Sequence, residues 1–188
     1  MLAHGAVDIV SVGALGGVHA NQDMVKATCP RSVDVRRTGR NRFVVGSRPV
    51  PGRIRGPTMV RIAVNGFGRM GRLFVRAAAD RTGLEVVSVN EPKGDPESLA
   101  LLLEFDSSQG RWDRACRADG AVLHAGAQRM HLLQHESWDT LPWRELGIDL
   151  VVDCSGRVKA REKLEPHFRN GARKVLVSNP VPGVPNLV

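Results

Sequence analysis

The chain has 188 residues, 42% of them apolar and 24% charged, enough for one domain with a real core and little more. Its formal charge of +8 is unevenly spread: residues 1–58 hold nine Lys and Arg against three Asp and Glu, and residues 59–188 hold eighteen against sixteen. The later segment therefore carries no phosphate-backbone footprint, which excludes a nucleic-acid partner for it, and no apolar run approaches the roughly 18 residues that span a membrane.

In chain order, residues 1–58 come first and do not read as a domain. "GALGGVHA" and "GSRPVPGRIRGP" are rich in Gly and Pro, and eight arginines fall between Arg31 and Arg55 with Asp34 the only acid among them. A transit peptide is Arg-rich, but the first 25 residues hold no Arg or Lys. A secretory signal needs a charged n-region, whereas Asp8 leads into Ile9 and Val10 here. A basic nucleic-acid arm is a third reading. The fourth is preferred: a disordered or non-native leader upstream of a natural start at Met59.

From Met59 the pattern changes. Val60, Ile62 and Val64 crowd into five residues, as in a buried strand, and the run stops at Asn65-Gly66. Met70, Leu73, Phe74, Ala77 and Ala78 then recur at helical spacing. The turn between them, Gly66-Phe67-Gly68-Arg69-Met70-Gly71, fits G-x-G-x-x-G. Gly66 suits the sharp turn, Gly68 lets a pyrophosphate approach the backbone, and Gly71 lets the helix lie close on the sheet. The helix-start N–H groups and dipole favour phosphate. The competing reading is a tight strand–helix connection with no ligand. "GLEVVSVNE" (83–91) is a second strand, and Glu91 falls twenty positions after Gly71, where a dinucleotide fold places a carboxylate on the ribose hydroxyls. That acid repels a 2′-phosphate and favours NAD; Lys93 beside it leaves NADP open.

The remaining elements alternate. "GDPESLALLLEF" (94–105) is a helix with Asp95 as cap and Pro96 at its first position. "FDSSQGRWD" is a polar loop, and residues 120–133 form a hairpin turning near Ala125-Gly126. "DTLPWRELG" allows one or two helical turns, and "IDLVVDCSG" (148–156) is an apolar strand. Residues 160–171 read as a helix that Pro166 should bend or split, before a last buried strand at 172–180. This order predicts an α/β fold: a Rossmann-type doubly wound, mostly parallel sheet over residues 59–188, incomplete at its C-terminal end, with a disordered N-terminal extension over 1–58. Candidate catalytic groups are lacking. Cys29, Cys116 and Cys154 have neither C-x-x-C spacing nor an even count, so no metal site or disulfide framework is expected and the setting is read as reduced and cytoplasmic. Cys154 reads as a small buried strand residue, His131 and His135 as no metal pair, and His167 as a surface or packing residue.

"VRIAVNGFGRMGRLFVRAA" resembles the opening of the glyceraldehyde-3-phosphate dehydrogenases. The similarity runs on through "VVSVNEP", "LLLEFDSSQGRW", "LPWRELGIDLVVDCSG" and "NGARKVLVSNP", covering residues 59–188 in the family's order. "VNEPKGD" and "DCSGRVKAREKL" look closest to the variant of bacterial arsenic-resistance operons, with erythrose-4-phosphate dehydrogenases next. The resemblance implies that Asn65, Phe67, Gly68, Arg69 and Met70 wrap the pyrophosphate, largely through backbone N–H. It implies that Asn90 and Glu91 stand at the family's ribose-binding pair, that Ser155 and Gly156 line the nicotinamide half, and that Ser178 lies beside the nicotinamide. Three positions depart from the family pattern: Glu136 for an arginine near the adenine, Val158 for an aromatic, and Gln109 for a histidine.

The family's nucleophile stands in a Ser-Cys-Thr-Thr-Asn motif, which does not occur in these 188 residues. Family members are homotetramers that oxidise an aldehyde through a thioester, a chemistry that needs a thiolate, a base and a hydride acceptor. Two functions follow as expectations: the dinucleotide-binding part of a phosphorylating aldehyde dehydrogenase, truncated before its catalytic domain and inactive alone, or a non-catalytic module that binds a dinucleotide or a partner subunit.

Overall fold

The structure is a computed structural model that describes residues 8–12, 34–38, 42–46 and 59–187. Three strands come from the N-terminal segment: β1 (Asp8–Val12), β2 (Asp34–Thr38) and β3 (Arg42–Gly46). The rest of the expected leader lies outside the described residues. Strand β4 (Val60–Asn65) leads through the glycine turn into α1 (Arg69–Ala79), and β5 (Leu84–Asn90) follows. Helix α2 (Pro96–Glu104) starts as its sequence requires: the Asp95 carboxylate accepts the Ser98 N–H, and Pro96 sits where no N–H is needed.

Where a polar loop was expected, β6 (Phe105–Asp106) and β7 (Gly110–Arg111) form a short antiparallel pair. Asp106 closes that turn by accepting the Ser108 and Gln109 N–H groups, which hold its carboxyl down to about 2. The expected hairpin is β9 (Val122–Ala125) with β10 (Gln128–Leu133), and it gains a third antiparallel strand, β8 (Cys116–Asp119). Next come a 3-10 turn at Trp138–Thr140 and β11 (Leu150–Asp153). The expected helix over 160–171 is instead a 3-10 turn (Arg161–Leu164) followed by α3 (Glu165–Arg169). The segment is thus split next to Pro166, which stands in the first turn of α3, where a helix has no use for the missing N–H. β12 (Lys174–Val177) and β13 (Asn186–Leu187) complete the order.

Among the described residues nine strands make one sheet in the order β13-β1-β12-β11-β4-β5-β10-β9-β8. It is parallel from β13 to β10 and antiparallel at the β10-β9-β8 end. The N-terminal segment was not expected to contribute to it, yet β1 pairs in parallel with β12, Asp8 opposite Lys174. The physical reason lies in both partners: "DIVSV" is rich in β-branched residues, and β12 without β1 would present a row of unpaired backbone groups.

Side chains alternate across the sheet and build two cores. Ile62, Val64, Val152 and Leu176 face one side with Phe74, Val75, Leu99 and Leu103 of α1 and α2. Ala63, Val151, Val175 and Val177 face the other, with Trp143, Ile148 and Leu164. A segment flanked by both cores has to be apolar on both faces, which is why residues 62–64 of β4 and 150–152 of β11 read as continuous apolar runs. Full burial of a side chain such as Phe74 contributes about 2–3 kcal/mol. This layering leaves the carboxyl ends of β4, β5 and β11 side by side, and there the cleft opens.

Candidate functional site

The cleft has a volume of about 700 Å3. Its floor is the turn after β4. Gly66 has φ +92° and stands so close to the β11 end that a Cβ there would lie 2.6 Å from the Ser155 backbone. A Cβ on Gly71 would collide with the Gly66 carbonyl oxygen. Gly68 differs from both: a Cβ there meets nothing within 4 Å, and its φ of −65° is ordinary. Its glycine is required neither by the turn nor by packing, and Gly68 lines the cleft. As the N-cap of α1, Gly68 supplies no side-chain acceptor to the first helical N–H groups, and no acid stands in that first turn. Amides left this way, at the positive end of the helix dipole, suit a phosphate.

Of the twelve residues singled out for the cofactor, Asn65, Gly66, Gly68, Asn90, Glu91 and Ser155 line the cleft. Glu91 is half-buried; its Oε2 accepts the Phe67 N–H at 2.9 Å and its Oε1 the Lys93 N–H at 3.3 Å. The acid therefore braces the glycine turn, and it uses the Phe67 N–H that was assigned to pyrophosphate. Phe67 itself is buried in the core. Arg69 turns away, to Asp106, Ser107 and Ser108. Met70 is half-buried on α1 and Gly71 packs beneath the turn. Gly156 turns the chain after Ser155 with φ +68°. Ser178 is tied to β11, its N–H donating to the Asp153 carbonyl at 2.9 Å.

The wall opposite the turn comes from the loop after β10, with His135, Glu136, Ser137 and Trp138, and from Arg157. Trp138 and Arg157 were not singled out from the sequence. The Arg157 guanidinium lies 5.5 Å from the centre of the Trp138 ring, a cation–π pair at the rim. The only signal for it in the sequence is a tryptophan in an otherwise polar loop. Val158, in contrast, is fully buried in the second core.

Behind the cleft lies a chain of buried hydrogen bonds that the sequence reading missed. Asp153 Oδ1 accepts from Ser155 N at 3.1 Å and Ser155 Oγ at 2.7 Å; Oδ2 accepts from Asn65 Nδ2 at 2.7 Å. Asn65 Oδ1 accepts from Asn90 Nδ2 at 2.9 Å, and the Asn90 amide closes on the His135 backbone N–H and C=O. His167, expected at the surface or in packing, is fully buried, with Nδ1 3.1 Å from Trp143 Nε1 and Nε2 3.3 Å from Asp153 Oδ2. These bonds join the ends of β11, β4 and β5 to the β10 loop.

Cys154 stands one residue beyond β11, not within it, and lines the cleft half-buried. Burial, then the neighbouring Asp153 carboxylate, push its thiol up to about 12, against a hydrogen bond with Ser178. At neutral pH this keeps it in the thiol form. Among the described residues no helix is long and apolar enough to cross a membrane.

A glycine cradle with open space at its centre, a helix start, and an acid at the end of the neighbouring strand fit a dinucleotide, and relatives agree. The family model described as glyceraldehyde 3-phosphate dehydrogenase, NAD binding domain, matches residues 60–161. Glyceraldehyde-3-phosphate dehydrogenase 3 of Nostoc sp. (strain PCC 7120 / SAG 25.82 / UTEX 2576) is 43% identical over 122 residues, 65% of this chain and 36% of that protein. The chain thus spans little more than a third of that relative's length. With the matched region running from β4 through the cleft-lining turn after β11, the chain belongs to the glyceraldehyde 3-phosphate dehydrogenase family and carries its NAD-binding domain.

Proposed function

We propose that residues 59–188 form the cofactor-holding part of a phosphorylating aldehyde dehydrogenase, and that NAD lies across the cleft with its pyrophosphate over Gly68. The observation that carries this reading is the contrast among the three motif glycines: Gly66 and Gly71 are required by packing, while Gly68 faces open space. Amides at the start of α1 hold the phosphates, and Glu91 accepts ribose hydroxyls with its remaining lone pairs while bracing the Phe67 N–H. Bound NAD supplies a hydride acceptor; this chain's residues bind and orient it.

No residue of the cleft is fitted to attack an aldehyde. Cys154 is held as a neutral thiol beside a carboxylate, and the family's Ser-Cys-Thr-Thr-Asn motif is not in the sequence. Homotetramer formation, and glyceraldehyde 3-phosphate or erythrose 4-phosphate as the aldehyde, belong to this proposal by family likeness alone. Calorimetry of the 188-residue protein with NAD, beside an NADH absorbance assay with glyceraldehyde 3-phosphate and phosphate or arsenate, tests it. Saturable NAD binding without turnover is expected. Turnover that disappears in Cys154→Ala would show a nucleophile inside this chain and overturn the proposal, as would the absence of NAD binding.

A further inference from the structure

The Trp143–His167–Asp153 chain has no part in the fold that an apolar side chain would not serve more cheaply, since each polar atom taken from water has to be given a partner. It also ends on residues that line the cleft. We infer that His167 is a positioning residue for the dinucleotide site: held as the Nε2–H tautomer, it fixes Asp153 below the cleft and supports Trp138 at its wall.

The tautomer follows from the donors. Trp143 Nε1 can only donate, so His167 Nδ1, 3.1 Å away, has to accept, and the ring proton sits on Nε2. Nε2–H then donates to Asp153 Oδ2, beside the Asn65 amide that donates to the same oxygen. With Oδ2 taken by two donors, Oδ1 is left for Ser155, and it takes both the backbone N–H and the hydroxyl. Ser155 Oγ in turn accepts the Arg157 N–H at 3.2 Å, which sets the turn that carries Arg157 to the rim. The Asn65 amide, oriented by Asp153, presents its oxygen to Asn90, and Asn90 grips the His135 backbone. One imidazole thereby orders, through Asp153, the three strand ends and the far loop.

The ring acts through its face as well. Trp138 stacks on it with centroids 5.1 Å apart and planes 23° apart, and Trp138 is the wall of the cleft. The two effects converge on the same opening, at the Ser155 turn and the Trp138 loop. A histidine that only filled core volume would need neither nitrogen placed as it is.

This inference rests on the dinucleotide reading, and the experiment keeps the two apart. NAD affinity is measured by calorimetry for the 188-residue protein and for His167→Phe and His167→Gln. Phenylalanine keeps the stack on Trp138 but strands the Trp143 N–H and one acceptor position of Asp153, and a roughly tenfold loss of affinity is expected. Glutamine restores a donor toward Asp153 and should recover most of that loss, which a purely volume-filling role would not produce. In parallel, the wild-type protein with 15N-labelled histidine should show His167 protonated at Nε2, and this resonance should shift as NAD saturates. No NAD saturation in the wild type would overturn the dinucleotide reading and this inference with it. Saturation with a silent His167 resonance, or an Nδ1–H tautomer, would overturn the inference alone, even if His167→Phe failed to fold. So would equal affinities in the three proteins.

Discussion

Glu91 follows the last residue of β5 and Asp153 is the last residue of β11, with β4 running between those strands. Both are acids at strand ends, and both line or underlie the same cleft, yet they are held in opposite ways. Glu91 is half-buried and accepts two backbone N–H groups, one of them at 3.3 Å. Asp153 is fully buried and accepts from Ser155 N, Ser155 Oγ, Asn65 Nδ2 and His167 Nε2. One carboxylate keeps capacity for a ligand, and the other has spent its capacity on the scaffold. The difference teaches that a carboxylate near the surface of the fold can keep lone pairs free, as the proposed ribose contact of Glu91 requires, while a fully buried one is committed to holding the strand ends together.

The largest expected effect breaks or confirms that division. Asp153→Ala leaves four donors without their acceptor, all of them at buried or part-buried sites beneath the cleft, and removes the partner of the His167–Trp143 chain. A stability loss of about 3–5 kcal/mol is expected from urea denaturation. Glu91→Ala gives up two backbone hydrogen bonds near water, and about 1 kcal/mol is expected. Equal losses in the two variants would erase the distinction between scaffold acid and ligand acid.

The same division recurs one turn away, between glycines. Gly71→Val drives a side chain into the Gly66 carbonyl and should abolish the folded state. Gly68→Val meets nothing in the protein and should leave the melting temperature close to that of the parent. It places a branched side chain where the pyrophosphate is proposed to lie, so a loss of NAD affinity of at least about a hundredfold is expected, close to 3 kcal/mol. A Gly68→Val protein that binds NAD like the parent would remove the phosphate cradle from the proposal.

Which parts of this were legible in the sequence follows from the range of the interactions. The glycine turn is local: strand, G-x-G-x-x-G and helix stand within twenty residues, and Glu91 follows at a fixed distance set by one helix and one strand. Two-sided burial also shows directly, since Ile62-Ala63-Val64 and Leu150-Val151-Val152 have no polar face to hide. The buried network is not local. Asn65 meets Asp153 across 88 positions and His167 meets Trp143 across 24, and nothing in the flanking residues announces either pairing. Pro166 marked the break between the two short helical pieces, but whether it bends one helix or begins a second is decided only by where α3 starts. The β1–β12 pairing lies beyond any local signal, joining Asp8 to Lys174.

A smaller effect sharpens the role of Glu91. If its free lone pairs accept ribose hydroxyls and its charge repels a 2′-phosphate, the parent should bind NAD better than NADP. Glu91→Ser should narrow that preference by about tenfold, close to 1.4 kcal/mol. Exposed Lys93 stands at the same rim, and a parent that prefers NADP would assign the selectivity to that cation and not to Glu91.

The smallest effect returns to Asp153 through its neighbour. The Cys154 thiol is held up at about 12 first by burial and then by the Asp153 carboxylate, above an unperturbed value of 9.0. At pH 8 the native thiol is therefore protonated, and alkylation by iodoacetamide at Cys154 should be some two orders of magnitude or more slower than in the urea-unfolded chain. The linkage has a definite sign. Between pH 9 and about 12 the unfolded thiol has lost its proton while the native one retains it, so the unfolded state binds fewer protons and stability falls as pH rises. Below pH 9 both states are protonated and the contribution to stability is fully present. Melting temperatures measured from pH 8 to 10.5 should fall less steeply in Cys154→Ala than in the parent. Asp153→Asn, which keeps the shape but drops the charge, should move the alkylation profile of Cys154 part of the way back toward neutral pH. Burial alone would explain the thiol if Asp153→Asn left that profile unmoved, and alkylation of the native protein at pH 8 as fast as the unfolded control would show a thiolate in the cleft, reopening Cys154 as a nucleophile.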